Sequence, residues 1–105
     1  MIIFLLMSRP KKDRCINCNP NAVYFKPRGV PLVQLDEVVL NLDELEAIRL
    51  ADYEGLYHEQ AAEKMNISRP TFGRILSEAR RKVAEVIVEG KALNIKKDIK
   101  MEDRK

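Results

Sequence analysis

The segment Met65-Asn66-Ile67-Ser68-Arg69-Pro70 stops one helix and starts another within a few residues. Asn66 tolerates the left-handed conformation that ends a helix. Ser68 is a good N-cap, and Pro70 falls in a first turn, where its missing N–H leaves no helical hydrogen bond unmade. Apolar residues recur at helical spacing on both sides of this hinge. Ala61, Ala62 and Met65 share one face of a short helix over about His58–Met65. Phe72, Ile75, Leu76, Ala79, Val83, Val86 and Ile87 follow at intervals of three and four up to Gly90. They predict a long helix from about Arg69 to Glu89. Upstream, Asn41 and Glu44 form a capping-box pattern. Leu42, Leu45, Ile48, Leu50 and Ala51 continue it as a helix from about Leu42 to Glu54, closed by Gly55.

The first third has a different character. Ser8 to Pro31 carries four of the five prolines, which excludes a long helix there. Ala22–Lys26 and Leu35–Leu40 are strand-like, with a turn over Pro27–Pro31 between them, so a short β-pairing of these two pieces is expected. Ala92–Ile95 adds a short extended piece. The expected architecture is therefore one mainly α domain. Residues 1–7 form an apolar extension without function, 8–40 a basic, Pro-rich arm with short strands, 41–95 the helical domain and 96–105 a charged tail. The seven apolar residues are too few to span a bilayer. They also lack the basic start and small-residue cleavage site of a signal peptide, so no membrane partner is expected.

A chain of 105 residues with one His and no Trp is poorly stocked for catalysis. It shows no Gly-rich phosphate loop, nucleophile elbow or paired-carboxylate arrangement, so no enzyme is expected. The net charge of +3 conceals a segregation. Residues 1–34 carry +5, residues 35–67 carry −7 and residues 68–105 carry +5. Basic segments flanking an acidic one point to a polyanion on part of the surface. The acidic middle faces away from it, with Asp43, Glu44 and Glu46 read as cap and surface charges.

Two helices joined by a tight turn, the second basic on its outer face, describe a helix-turn-helix. Ala62 supplies the small residue where the helices pass closest. Ala61, Met65, Ile67, Phe72 and Ile75 fall at the offsets that fill the shared interior. His58 to Val83, especially Ala62–Thr71 and Ala79–Lys82, resembles the DNA-binding helix-turn-helix of sigma factor region four. More closely, about Ser8 to Ile95 resembles a small uncharacterised bacterial and archaeal family of predicted DNA-binding proteins. Phe25-Lys26-Pro27, Asp43–Asp52, Glu54–Tyr57, Ser68–Ile75, Ala79–Ala84 and Gly90–Leu93 carry that likeness. The resemblance implies a sigma-like helix-turn-helix and does not supply DNA targets. Three positions depart from the sigma pattern. Tyr57 replaces a Ser N-cap, Asn66 replaces a turn glycine, and Gly73 sits inside the long helix at a cost of about 1 kcal/mol relative to Ala. Gly73 either admits DNA close to the backbone or leaves room for a neighbour. Nothing in the chain corresponds to the parts of a sigma factor that bind polymerase and melt promoters.

The expected function is sequence-specific binding of double-stranded DNA, as a transcriptional regulator. With Phe72, Ile75 and Leu76 inward, Arg69, Pro70, Thr71, Gly73, Arg74 and Ser77 face a major groove. Arg69 and Arg74 are the candidates for guanine edges, because a guanidinium fork fits O6 and N7 together. Arg81, Lys82 and Gln60 are candidates for phosphates. The arm around Arg9, Lys11 and Lys12 reads either as a minor-groove arm or as a solubilising tail.

Cys15 and Cys18 have half of a zinc knuckle's spacing. Free thiols are the preferred reading and zinc the alternative, since four ligands are needed and no second Cys-x-x-Cys exists. So few cysteines fit a reducing cytoplasm. Val83, Val86, Ile87 and Val88 cover the core, pack the N-terminal segment or pair two subunits; a homodimer is favoured, since pairing adds affinity and palindrome specificity. Two rival functions use the same helical unit: a protein-interaction adaptor and a zinc-stabilised assembly module.

Overall fold

The computed structural model describes residues 14–96. The apolar extension, Arg9, Lys11, Lys12 and the tail beyond Lys96 lie outside the described residues. About half of the described residues are helical, and a three-stranded sheet closes the domain. The strands are β1 (Tyr24–Phe25), β2 (Glu37–Asn41) and β3 (Ala92–Lys96), and the helices are α1 (Leu42–Ile48), α2 (His58–Met65) and α3 (Arg69–Glu89). A 3-10 turn covers Leu32–Gln34, and α1 widens into one π turn over Arg49–Tyr53.

The helices start and stop where local chemistry places them. Asn41 N–H donates to Glu44 Oε1 at 2.9 Å, one half of the expected capping box. Asn66 ends α2 in the left-handed region at φ 60°, and Ile67 N–H returns to the Ala62 carbonyl at 3.1 Å. Ser68 Oγ accepts from Thr71 N–H at 3.3 Å to open α3. The helix expected over Leu42–Glu54 differs in its last turn. There Glu54 N–H reaches back five residues to the Arg49 carbonyl at 2.8 Å, a π-type bond.

The sheet corrects one expectation: the two N-terminal strands do not pair with each other. Both pair with β3, giving the order β1-β3-β2. β1 runs antiparallel to it, with Tyr24 opposite Asn94, and β2 parallel, with Glu37 opposite Ala92. Strand pairing is non-local, so the short piece Ala92–Ile95 gives no local sign that it is the central strand. A parallel pair needs a long crossover, and all three helices form it.

One stripe of α3 serves two cores. Phe72 and Leu76 pack with Ala47, Leu50, Ala61, Ala62 and Met65 of the other helices. One turn on, Ala79 packs with Leu40 and Ile95 of the sheet. His58, at the start of α2, is half-buried with its ring edge-on to Phe72, centroids 5.4 Å apart.

Glu44 and Glu46 are buried, correcting their reading as surface charges, while Glu44 keeps its role at the cap of α1. The side of α1 opposite the other helices is covered by the N-terminal segment, which periodicity treats as solvent. Glu46 accepts from Arg49 Nε and Nη2 at 2.9 and 3.0 Å and from Asn17 N–H at 3.0 Å. Burial opposes the charged form, but the bonds from Arg49 and Asn17 outweigh it and hold the carboxyl below the ordinary glutamate range. The Arg80 guanidinium does the same for Asp52, tying the π turn to α3 at 2.6 Å.

Because both carboxyls are depressed in the folded state, their stabilisation is full above the unfolded pKa of about 4. It is lost as pH falls through the lower folded values. Melting temperature followed by circular dichroism is expected to hold between pH 6 and 5 and to fall steeply below about pH 4. Glu46→Gln is expected to melt lower at neutral pH and to show a shallower acid slope.

Candidate nucleic-acid interface

α2 and α3 meet across three residues, Asn66, Ile67 and Ser68. The buried Ala61, Ala62 and Met65 of α2 lock against Phe72 of α3. The first turns of α3 are thereby fixed while their outer side stays exposed: Arg69, Pro70, Arg74 and Ser77 are exposed, and Thr71 and Gly73 half-exposed. A chain of hydrogen bonds orders this surface. Ser68 Oγ donates to Thr71 Oγ1 at 2.9 Å, and Arg74 Nη2 donates to the same Thr71 oxygen at 3.3 Å. Arg74 is thus held over the first turn by a hydroxyl, which leaves its charge uncompensated. A Cβ built on Gly73 meets nothing within 4 Å among the described residues, so none of them requires a glycine there.

The basic residues of the described chain fall into two groups. Arg14, Arg49, Arg80, Arg81, Lys82 and Lys91 each form an ion pair with a carboxylate. Among the described residues Arg69 and Arg74 form none, and neither do Lys26, Arg28, Lys64 and Lys96, which lie off α3. Arg69 borders a shallow groove between α2 and α3, lined also by Glu59, Glu63, Asn66 and Ser68. Thus the first half of α3 offers free guanidinium groups and the second half spends its charge internally.

Lys82 is placed differently from its sequence reading as a phosphate contact. Its ammonium donates to the Val39 carbonyl at 2.7 Å and to Glu44 Oε1 at 2.8 Å, with the side chain only 16% exposed. It is a brace between α3, β2 and the start of α1. Arg81 stays exposed but is clamped by Glu78 at 2.9 Å and Glu85 at 2.9 Å, which raise its already high pKa further. Gln60 uses its side-chain oxygen to accept from Tyr57 N–H at 3.1 Å. This is the N3 half of a capping box, while the bond that an N-cap serine would accept is not made; Gln60 itself is exposed.

The segment that enters the described structure is tied beside the same turn. Cys15 N–H donates to the Met65 carbonyl at 3.0 Å, and Arg14 lies 3.6 Å from Asp43. Sequence reasoning missed this anchor because a backbone bond to Met65 has no side-chain signature. Cys15 is exposed and Cys18 half-buried, and both are free thiols. Burial, then the charge of and hydrogen bond with Glu46, push the Cys18 thiol up to about 11, so it is protonated at neutral pH. No cluster of three or more His, Cys, Asp or Glu side chains that could hold a metal ion occurs among the described residues. A tetrahedral zinc would need ligands from elsewhere. No described helix is long and apolar enough to cross a membrane.

The model of a family described as Protein of unknown function DUF134 matches residues 4–101. A UPF0251 protein of Thermoanaerobacter pseudethanolicus is 55% identical over 89 residues, covering 85% of this chain and 75% of the relative. Another, of Caldanaerobacter subterraneus subsp. tengcongensis, is 53% identical over 89 residues, again 85% of this chain and 75% of the relative. No solved structure matches the chain.

The two cations on α3 separate experimentally. Lys82→Ala strands the buried Glu44 carboxylate and is expected to cost about 2–3 kcal/mol in urea unfolding. Arg81→Ala, a neighbour in sequence, is expected to leave the unfolding midpoint essentially unchanged, since its pairs are exposed.

Proposed function

The chain belongs to the DUF134 family, and we propose that it is a sequence-specific double-stranded DNA-binding protein, a transcriptional regulator built on a sigma region four-like helix-turn-helix. The observation that carries this reading is the pair of carboxylate-free arginines, Arg69 and Arg74, on the exposed first half of α3. Every other arginine in the domain except Arg28 is ion-paired among the described residues. A folded protein gains little from holding uncompensated guanidinium groups on a rigid helix end. A polyanion supplies the missing charge.

In this reading α2 crosses the phosphate backbone and α3 enters the major groove by its N-terminal half. Arg69 and Arg74 address guanine O6 and N7, and Thr71 orients Arg74 before contact. Thr71 and Ser77 meet base edges, thymine methyls or phosphates. Pro70 and the open flank of Gly73 let the helix backbone approach closely. Gln60 and Arg81 hold phosphates, Arg81 by exchanging one of its glutamates for the ligand. Lys82 is withdrawn from that role. The arm holding Arg9, Lys11 and Lys12 leads into Cys15, beside the turn. Seven residues from Ser8 to Arg14 span at most about 25 Å, enough to reach a neighbouring minor groove. Such a protein works in the cytoplasm, where Cys15 and Cys18 stay reduced.

Selection of bound duplexes from a random library, followed by anisotropy titrations at several salt concentrations, tests the reading. Log affinity should fall linearly with log salt, at about 0.9 per neutralised phosphate. Arg74→Ala or Arg69→Ala should relax preference at one base position, costing about 1–3 kcal/mol on the selected site and far less on random duplex. Equal losses on both DNAs would remove base reading. A protein-interaction adaptor would show no duplex affinity at any salt.

A further inference from the structure

The junction of α3 and β3 leaves large apolar side chains uncovered at one end of the molecule. Phe25, Leu32 and Val33 are 50, 55 and 92% exposed, and Ile87 and Val88 are 74 and 80% exposed. Backbone pairing keeps these pieces close. Phe25 is in register with Leu93, the Asp36 carbonyl accepts from Ala92 N–H, and Gly90 ends α3 just before β3. Arg69 and Arg74 lie toward the other end of α3, a helix of 21 residues and about 30 Å.

We propose that this end is an interface with a second copy of the same chain, in a two-fold symmetric dimer. The five side chains expose on the order of 600 Å², most of the roughly 800 Å² per partner that a stable interface buries. Charge names the occupant. A two-fold interface must be complementary to itself. The loop across β1 and β2 carries exposed Arg28 and exposed Asp36, and neither forms an ion pair among the described residues. Two-fold pairing sets Arg28 of each copy against Asp36 of the other. Lys91 is already bound to Glu85 at 2.6 Å and to Glu89 at 3.1 Å. A polyanion or an anionic membrane would instead leave Asp36 uncompensated. With the dimer joined here, the two α3 N-termini point outward, to two half-sites related by the same axis. That consequence rests on the DNA reading; the dimer itself does not.

Sedimentation equilibrium of the full chain, without DNA and up to about 200 μM, tests it in the range where micromolar association is readable. The wild type should be dimeric. Val33→Glu and Ile87→Glu should each be monomeric, with unchanged circular dichroism, because both sites are exposed in the single chain. Arg28→Glu should weaken association roughly tenfold or more, and adding Asp36→Arg should restore it. A wild type that stays monomeric overturns the proposal, as does a dimer that survives both apolar substitutions. Since DNA is absent, failure here leaves duplex binding standing, and failure of duplex binding leaves this result intact.

Discussion

The buried stripe of α3 is the contact on which the rest of the domain depends. Phe72, Leu76 and Ala79 are at most 1% exposed, yet they face two partners in succession: first the short helices, then the sheet. A core of this size gives each partner little burial of its own. Alone, α1 and α2 are too short to hold helical structure in water, and a sheet with a two-residue edge strand is no more secure. By spanning both, one long helix turns two marginal clusters into one cooperative unit. Its first turns are then positioned by packing some distance away, so the exposed surface around Arg74 inherits the rigidity of the core.

That arrangement sorts the charges. Where α3 passes over the sheet and α1, its cations are used as braces: Arg80 to Asp52, Lys82 to Glu44 and Val39, Arg81 to its own helix neighbours. Lys82 and Glu44 are both mostly buried, and each is costly to bury without the other. The gain is geometric, since the ammonium ties the helix to β2 through the Val39 carbonyl as well as to α1 through Glu44. Past the turn toward α2, the same helix carries arginines with no such duty. A net charge of +3 hides this difference. Along α3 the free charge sits in the first turns, where the structure does not need it.

Helix boundaries were legible because their signals are local. The left-handed Asn66, the Ser68 cap and the three-and-four spacing from Phe72 onward place α2 and α3 at the limits expected from sequence. What could not be read was anything that depends on a distant segment. Lys82 sits in the basic run Arg80-Arg81-Lys82, and nothing beside it distinguishes a brace from a free cation. Glu46 lies on a side of α1 that helical periodicity assigns to water; it is buried because residues near Asn17 fold across it. β3 is five residues long and weakly patterned, and its central place comes from two partners more than fifty residues away. The candidate site was legible for the same reason as the helices, since its residues sit on one helix and are exposed by one turn.

The N-terminal segment joins these threads. Between Arg14 and Cys18 it bonds to α1 at Asp43, Leu42 and Glu46 and to the last turn of α2 at Met65. Cys15 N–H takes one of the carbonyls that the end of α2 would otherwise leave unpaired. The turn into α3 is therefore held from both sides, by the left-handed Asn66 within and by the segment without. Glu46 is what keeps that segment seated, because a buried carboxylate must collect donors, and the Asn17 amide is one of them. Burying a glutamate under the arm costs stability that an apolar residue would not. In exchange the arm has one docking position, since a shift of a single residue would leave a charge unsatisfied where Leu or Met would simply repack. The basic stretch preceding Arg14 consequently starts from a fixed point beside the same helix end that presents Arg69 and Arg74.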